Sequence, residues 1–204
     1  WNEKNFDINS NVYVKEACDS KKWAFITDYV RLFALHEYGG VYMDTDVEVI
    51  KNIDGLLHHK AFSGFELVNT IPTAIMAAQK GNDWIGMLLS YYNDRHFIKE
   101  DGSLDTTTNV VTITNMTKEN YNITLDNTLQ QTNGDVTFYP KDYFCPKDYQ
   151  TGEITLTENT YSIHHFSGSW QTKGEKLQHE VQKRCVGIFG DNLGDKVFEF
   201  YMRL

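Results

Sequence analysis

The sequence predicts a three-layer α/β domain on three observations: helical and extended patterns alternate along the chain, one early helix is apolar on nearly every side, and nothing divides the chain into pieces. Trp23, Ile26, Val30, Phe33 and Ala34 recur at helical spacing, while Phe25, Tyr29, Leu32 and Leu35 fill the other sides. A helix of that kind needs cover all round, as between a sheet and further layers. No Pro/Gly/Ser-rich linker, internal repeat or low-complexity segment interrupts the 204 residues, so a single domain over 1–204 is expected.

The early helix is expected over residues 21–38, with Ser20 as N-cap and Gly39-Gly40 as its stop. Val41-Tyr42-Met43 follows as a short strand ending at Asp44, and Val47, Val49 and Ile50 resume an extended pattern. Residues 83–92 read as a second helix through Trp84, Ile85, Leu88, Tyr91 and Tyr92. The Thr-rich segment 106–117 reads as a loop leading into either a strand or an irregular helix. Thr137-Phe138-Tyr139 before Pro140, and residues 161–166, read as strands. Leu177, Val181, Cys185 and Phe189 mark an amphipathic helix, and Leu193, Val197 and Tyr201 another.

Composition excludes several function classes. With 19 Lys+Arg against 28 Asp+Glu the net charge is −9, and no basic cluster offers the footprint that a nucleic-acid backbone requires. Cys18, Cys145 and Cys185 are far apart and in no CxxC spacing, which indicates neither a disulfide framework nor a zinc site and makes the reduced cytoplasm the default compartment. The apolar stretch 23–35 is broken by Asp28 and Arg31 and is too short for a membrane span. The chain starts at Trp1 rather than a methionine and is expected to be a fragment or a processed form.

Three constellations could carry chemistry. Asp44-Thr45-Asp46 places two carboxylates at i and i+2 where an apolar strand runs out; in an extended segment both project to one side and can reach one hard cation, Mn²⁺ or Mg²⁺ rather than zinc. A solvated turn would show the same tripeptide. Asp28 and Arg31, at i and i+3, are either an exposed pair worth under about 1 kcal/mol or, on so apolar a helix, contacts for a polar ligand: a planar fork for phosphate and acceptors for sugar hydroxyls. In His164-His165-Phe166-Ser167-Gly168-Ser169-Trp170, adjacent histidines point to opposite faces of a strand, so at most one can serve a metal directly, and either can be a hydrogen-bonded core or surface residue.

The run from Thr27-Asp28-Tyr29-Val30-Arg31-Leu32 through Gly39-Gly40-Val41-Tyr42-Met43-Asp44-Thr45-Asp46-Val47-Glu48 resembles the DXD signature block of glycosyltransferase family 32, which includes bacterial capsular polysaccharide transferases and fungal mannosyltransferases and whose block is similar to that of the large clostridial glucosylating toxins. The 164–170 segment resembles the family's late His-rich loop ending in Ser-Trp, with Gly64-Phe65-Glu66 and Thr73-Ala74-Ile75-Met76-Ala77-Ala78 matching more loosely between. The resemblance implies a GT-A fold, a central mixed sheet flanked by helices, here expected to begin after the family's first strand and helix. It implies a metal-dependent, retaining hexosyltransferase that moves sugar from a UDP- or GDP-sugar to a saccharide or lipid-linked saccharide acceptor in cell-surface polysaccharide synthesis, in the cytoplasm at the inner face of the membrane. Carried over by position, Asp44 and Asp46 handle metal and ribose with His165 as the late metal ligand; Asp28 and Arg31 contact donor sugar and phosphate and, with Asp46, are the catalytic set. Tyr42 lines the donor pocket, Ser169 and Trp170 lie on the loop closing over the diphosphate, and Asn109 contacts the transferred sugar. Two other readings stay open: a haloacid-dehalogenase-like phosphatase using Asp44 and Asp46, although Glu48 stands where that motif has Thr or Val, and a non-catalytic nucleotide-sugar-binding module.

Overall fold

A computed structural model provides the structure and describes residues 4–71, 74–132, 134–168, 173–190 and 196. Helix α1 (Val12–Asp19) starts at Asn11, whose side-chain oxygen accepts from the Val14 N–H, and α2 (Trp23–Tyr38) follows within one turn of chain. Ser20 therefore closes α1 and does not open α2, which begins at Trp23 after Lys22 with no side-chain cap. Gly39 ends α2 at φ +70°, where a Cβ would stand 2.7 Å from the Lys80 amide nitrogen; only glycine fits this close approach.

Five strands form a mixed sheet in the order β1-β4-β3-β6-β5: β1 (Gly40–Met43), β3 (Ala61–Gly64), β4 (Ile75–Ala78), β5 (Gln130–Thr132) and β6 (Val136–Tyr139). All neighbours pair antiparallel except β3 and β6, which are parallel. A separate antiparallel ribbon joins β2 (Val47–Val49) to β7 (Ser162–His164), with Val47 opposite His164. Helices α3 (Asp83–Ser90), α4 (Asn109–Asn120), α5 (Lys141–Phe144) and α6 (Lys173–Phe189), with two short 3-10 turns at Ile8–Ser10 and Asp54–Leu56, complete the described elements. The Thr-rich segment is thus helical: Thr112, Thr114 and Thr117 are buried, and the Thr117 hydroxyl accepts from the Trp84 indole N–H, so packing overrides the β preference of its branched residues. The expected last helix, around Leu193, Val197 and Tyr201, lies outside the described residues apart from position 196.

Side-chain alternation divides the core between the two faces of the sheet. Ala61, Met76, Ala78, Val136 and Phe138 join Leu32, Leu35, Trp84, Ile85, Leu88 and Ile113 on the helical face, whereas Phe62, Ile75, Ala77 and Tyr139 meet Leu56 and Phe144 on the other. Burial on both faces is why β3, β4 and β6 read as nearly unbroken apolar runs. The same alternation sends Val41 and Met43 to the second face and Tyr42 toward α2, which brings a phenol against the polar groups of that helix.

Candidate functional site

Residues 44–46 carry the chain from the main sheet to the ribbon. The Asp44 N–H donates to the Ala74 carbonyl at 2.8 Å just beyond the β1–β4 pairing, and the Val47 N–H donates to the Asp44 carbonyl at 3.1 Å, closing a turn. Asp46 is tied to the ribbon's other strand: its carbonyl accepts from the His165 N–H at 3.0 Å and its Oδ2 from the Ser167 N–H at 2.7 Å. Both residues are thereby held by main-chain hydrogen bonds on either side of the turn, with side chains about three-quarters buried.

On the α2 side, Arg31 is 8% exposed and its guanidinium is embedded in acceptors. Nε donates to the Thr27 carbonyl at 3.3 Å, one terminal nitrogen meets Asp28 Oδ1 at 3.0 Å and the other meets Asp44 Oδ1 at 3.2 Å. The group also lies 4.6 Å from the centre of the Tyr42 ring, whose hydroxyl donates to the same Asp44 oxygen at 2.6 Å. Asn109, from α4, donates to Asp28 Oδ1 at 3.3 Å, and its own buried amide oxygen has no partner. Burial, reinforced by the charge of Asp44, pushes the Asp28 carboxyl up to about 6 against the pull of Arg31 and Asn109.

On the ribbon side, His164 Nε2 stands 3.5 Å from Asp46 Oδ1, and burial holds the imidazole below its ordinary pKa, against the opposing charges of Asp46 and Asp44. Glu66, just past β3, is 16% exposed and lies 3.9 Å from the other ring nitrogen. Burial and the two aspartates push its carboxyl up to about 7, with Lys141 opposing.

The structure brings Asp28, Arg31, Tyr42, Asp44 and Asn109 into one bonded network and Asp46 beside it. His165 needs correcting: it turns outward to Glu48, Nε2 to Oε2 at 2.8 Å, and its neighbour His164 joins the aspartates. The reason is parity, since a one-residue step along a strand moves a side chain to the opposite face. Ser169 and Trp170 lie outside the described residues. Sequence reasoning assigned no role to Glu66, whose signals were the loose resemblance of Gly64-Phe65-Glu66 to the family pattern and its place directly after the run 61–65, which starts apolar.

One ligand atom from each of Asp44, Asp46 and His164 lies within 4.8 Å of the others, close to the span of donors placed at roughly 2.1–2.4 Å around one ion. Two carboxylates and an imidazole form a mixed oxygen–nitrogen donor set able to hold a divalent cation. Arg31 and Tyr42 hold Oδ1 of Asp44 and leave its second oxygen unengaged by either. The residues present therefore fit a divalent cation.

Residues 2–63 match the family model described as glycosyltransferase sugar-binding region containing DXD motif, which ends one residue short of the end of β3. Over 58 residues the chain is 36% identical to inositol phosphoceramide mannosyltransferase 3 of Schizosaccharomyces pombe, a stretch that is 28% of this chain and 16% of that protein. No solved structure matches.

Proposed function

Because the first third of the chain is a DXD sugar-binding region of the glycosyltransferase type, we propose that the protein is a divalent-cation-dependent hexosyltransferase acting on a nucleoside-diphosphate sugar and a saccharide acceptor. The observation that carries this reading is the convergence of Asp44, Asp46 and His164 beside the Asp28–Arg31–Asn109 network. A bound Mn²⁺ or Mg²⁺ would supply Lewis-acid stabilisation of the charge growing on the departing diphosphate. Arg31, enclosed by protein acceptors, orients Asp44 and keeps positive charge beneath it. Asp28 and the unpartnered Asn109 oxygen offer acceptors for sugar hydroxyls. We extend the proposal to a UDP- or GDP-hexose donor, retention of anomeric configuration, a saccharide or lipid-linked acceptor, a role in cell-surface polysaccharide synthesis, and a cytoplasmic site of action at the membrane face. The fungal relative's name points to a mannosyl donor and a lipid acceptor as the first to try. No helix among the described residues is long and apolar enough to cross a membrane.

Against the phosphatase alternative stands the position of β1, which among the described residues is an edge strand with one antiparallel neighbour, whereas the ligand crevice of a doubly wound fold lies beyond central parallel strands. The test is a melting-temperature screen of UDP and GDP with and without Mn²⁺, followed by release of labelled hexose from the donor that binds. Ligand at about a hundred times its Kd should raise the melting temperature by roughly 5–10 °C, and only when the cation is present. Binding without release would identify a non-catalytic module, and no cation-dependent shift with any nucleotide would overturn the reading.

A further inference from the structure

We propose that Glu66 is a positioning residue of this site: its carboxylate takes the Nδ1 proton of His164 in a hydrogen bond and so turns Nε2 toward the cation position between Asp44 and Asp46. The proposal rests on the cation-dependent reading above and adds a residue that lies outside the matched region 2–63.

The observation behind it is an unsatisfied atom. His164 Nδ1 is buried and has no hydrogen-bond partner, an arrangement that is costly to leave unmade. Its two ring nitrogens face two different carboxylates, Asp46 Oδ1 at 3.5 Å from Nε2 and Glu66 Oε1 at 3.9 Å from Nδ1. The second gap exceeds a hydrogen bond by about one ångström, a shift that a small rotation of either side chain supplies. Phe166 packs 4.2 Å from the imidazole centre and limits where the ring can go.

The chemistry fixes the direction of the bond. A neutral imidazole that offers Nε2 as a ligand must carry its proton on Nδ1, and that proton requires an acceptor. Among the described residues the carboxylate facing Nδ1 is Glu66. Its backbone is held in turn, since the Glu66 N–H donates to the Thr70 carbonyl at 2.9 Å. A carboxylate behind a ligating histidine sets the tautomer, aims the ring and raises its basicity.

The experiment compares the full chain with Glu66→Gln and Glu66→Met. Mn²⁺ affinity is measured by calorimetry without nucleotide, and the His164 tautomer by ¹⁵N NMR in the presence of diamagnetic Mg²⁺. Glu66→Met, which lacks an acceptor, should weaken Mn²⁺ binding about 10–100-fold, while Glu66→Gln, whose amide oxygen still accepts, should lose less than about fivefold. The wild-type protein should show the Nδ1–H tautomer. Unchanged affinity in Glu66→Met overturns the proposal, as does an equal loss in both variants, which would make Glu66 a direct ligand or a pure charge. An Nε2–H tautomer in the wild type overturns it without any variant, so a Glu66→Met chain that failed to fold would still leave a deciding measurement. A wild-type protein that binds no Mn²⁺ overturns the cation-dependent reading and this proposal together, an outcome distinct from all the others.

Discussion

The two sides of Asp44 handle charge differently. Toward α2, Arg31 meets Thr27, Asp28, Asp44 and the Tyr42 ring, and two acids are balanced by one enclosed cation that the chain supplies itself. Toward the ribbon, Asp46 and Glu66 surround an imidazole whose pKa burial lowers, and one ring nitrogen is left without a partner. The first side holds its cation within hydrogen-bond range and leaves one amide oxygen, that of Asn109, without a partner, whereas on the second Lys141 acts on Glu66 without an ion pair and, among the described residues, no Lys or Arg pairs with Asp46 or Glu66. The difference separates acids that an enclosed arginine already pairs from acids that meet only an imidazole, although Asp28, Arg31 and Asp46 all stand out in the sequence as charges among apolar residues.

Breaking the arginine-paired side should cost most in stability. Arg31→Ala leaves Asp28 and Asp44 without their shared cation, and a urea melt should show a loss of about 3–5 kcal/mol. A loss under about 1 kcal/mol would mean that solvent already screens the pair. The ribbon side should behave the opposite way. Asp46→Asn can still accept from the Ser167 N–H, so its melting temperature should stay within about 2 °C of wild type while sugar transfer falls at least ~100-fold. Parallel losses of both properties would erase the distinction.

The pH dependence of Asp28 sharpens the contrast. Its carboxyl is raised to about 6 in the folded chain from an ordinary 3.8, so between those values the native state binds more protons than the unfolded one and its stability falls as pH rises. Asp28→Asn should remove that component: relative to wild type it gains stability between pH 4 and pH 7, read from denaturant melts at both. A relative loss over the same interval would show that Arg31's attraction outweighs burial. The smallest effect belongs to the exposed Lys15–Asp19 pair on α1, where Lys15→Ala should change stability by no more than about 0.5 kcal/mol. The two helical ion pairs differ in burial far more than in spacing, and spacing is what a sequence displays.

That limit explains what could be read in advance. Helix α2, the glycine turn, β1 and the spaced aspartates were legible because each rests on local pattern. Helix α1 was not, although Asn11 is a favourable cap, since its inward face is only Tyr13, Val14 and Ala17 in an eight-residue helix. The choice between His164 and His165 turned on parity, set by the register of β7 against β2 and by no property of either histidine. Glu66 depends on the end of β3 arriving beside the ribbon, a tertiary fact with no local signature. Asn109 was visible as a polar residue in a Thr-rich stretch, but its partnership with Asp28 spans 81 positions.

The ribbon carries one last consequence. Glu48 and His165, side by side in β2 and just past β7, are 117 positions apart in the chain. Closing so long a loop is among the slower steps open to a folding chain, because its entropy is spent before any contact is gained. The aspartates therefore exist as a local turn early on, but their histidine arrives only when the ribbon zips. On the proposed cation-dependent reading, capture of a divalent cation during refolding should lag behind the formation of helical signal.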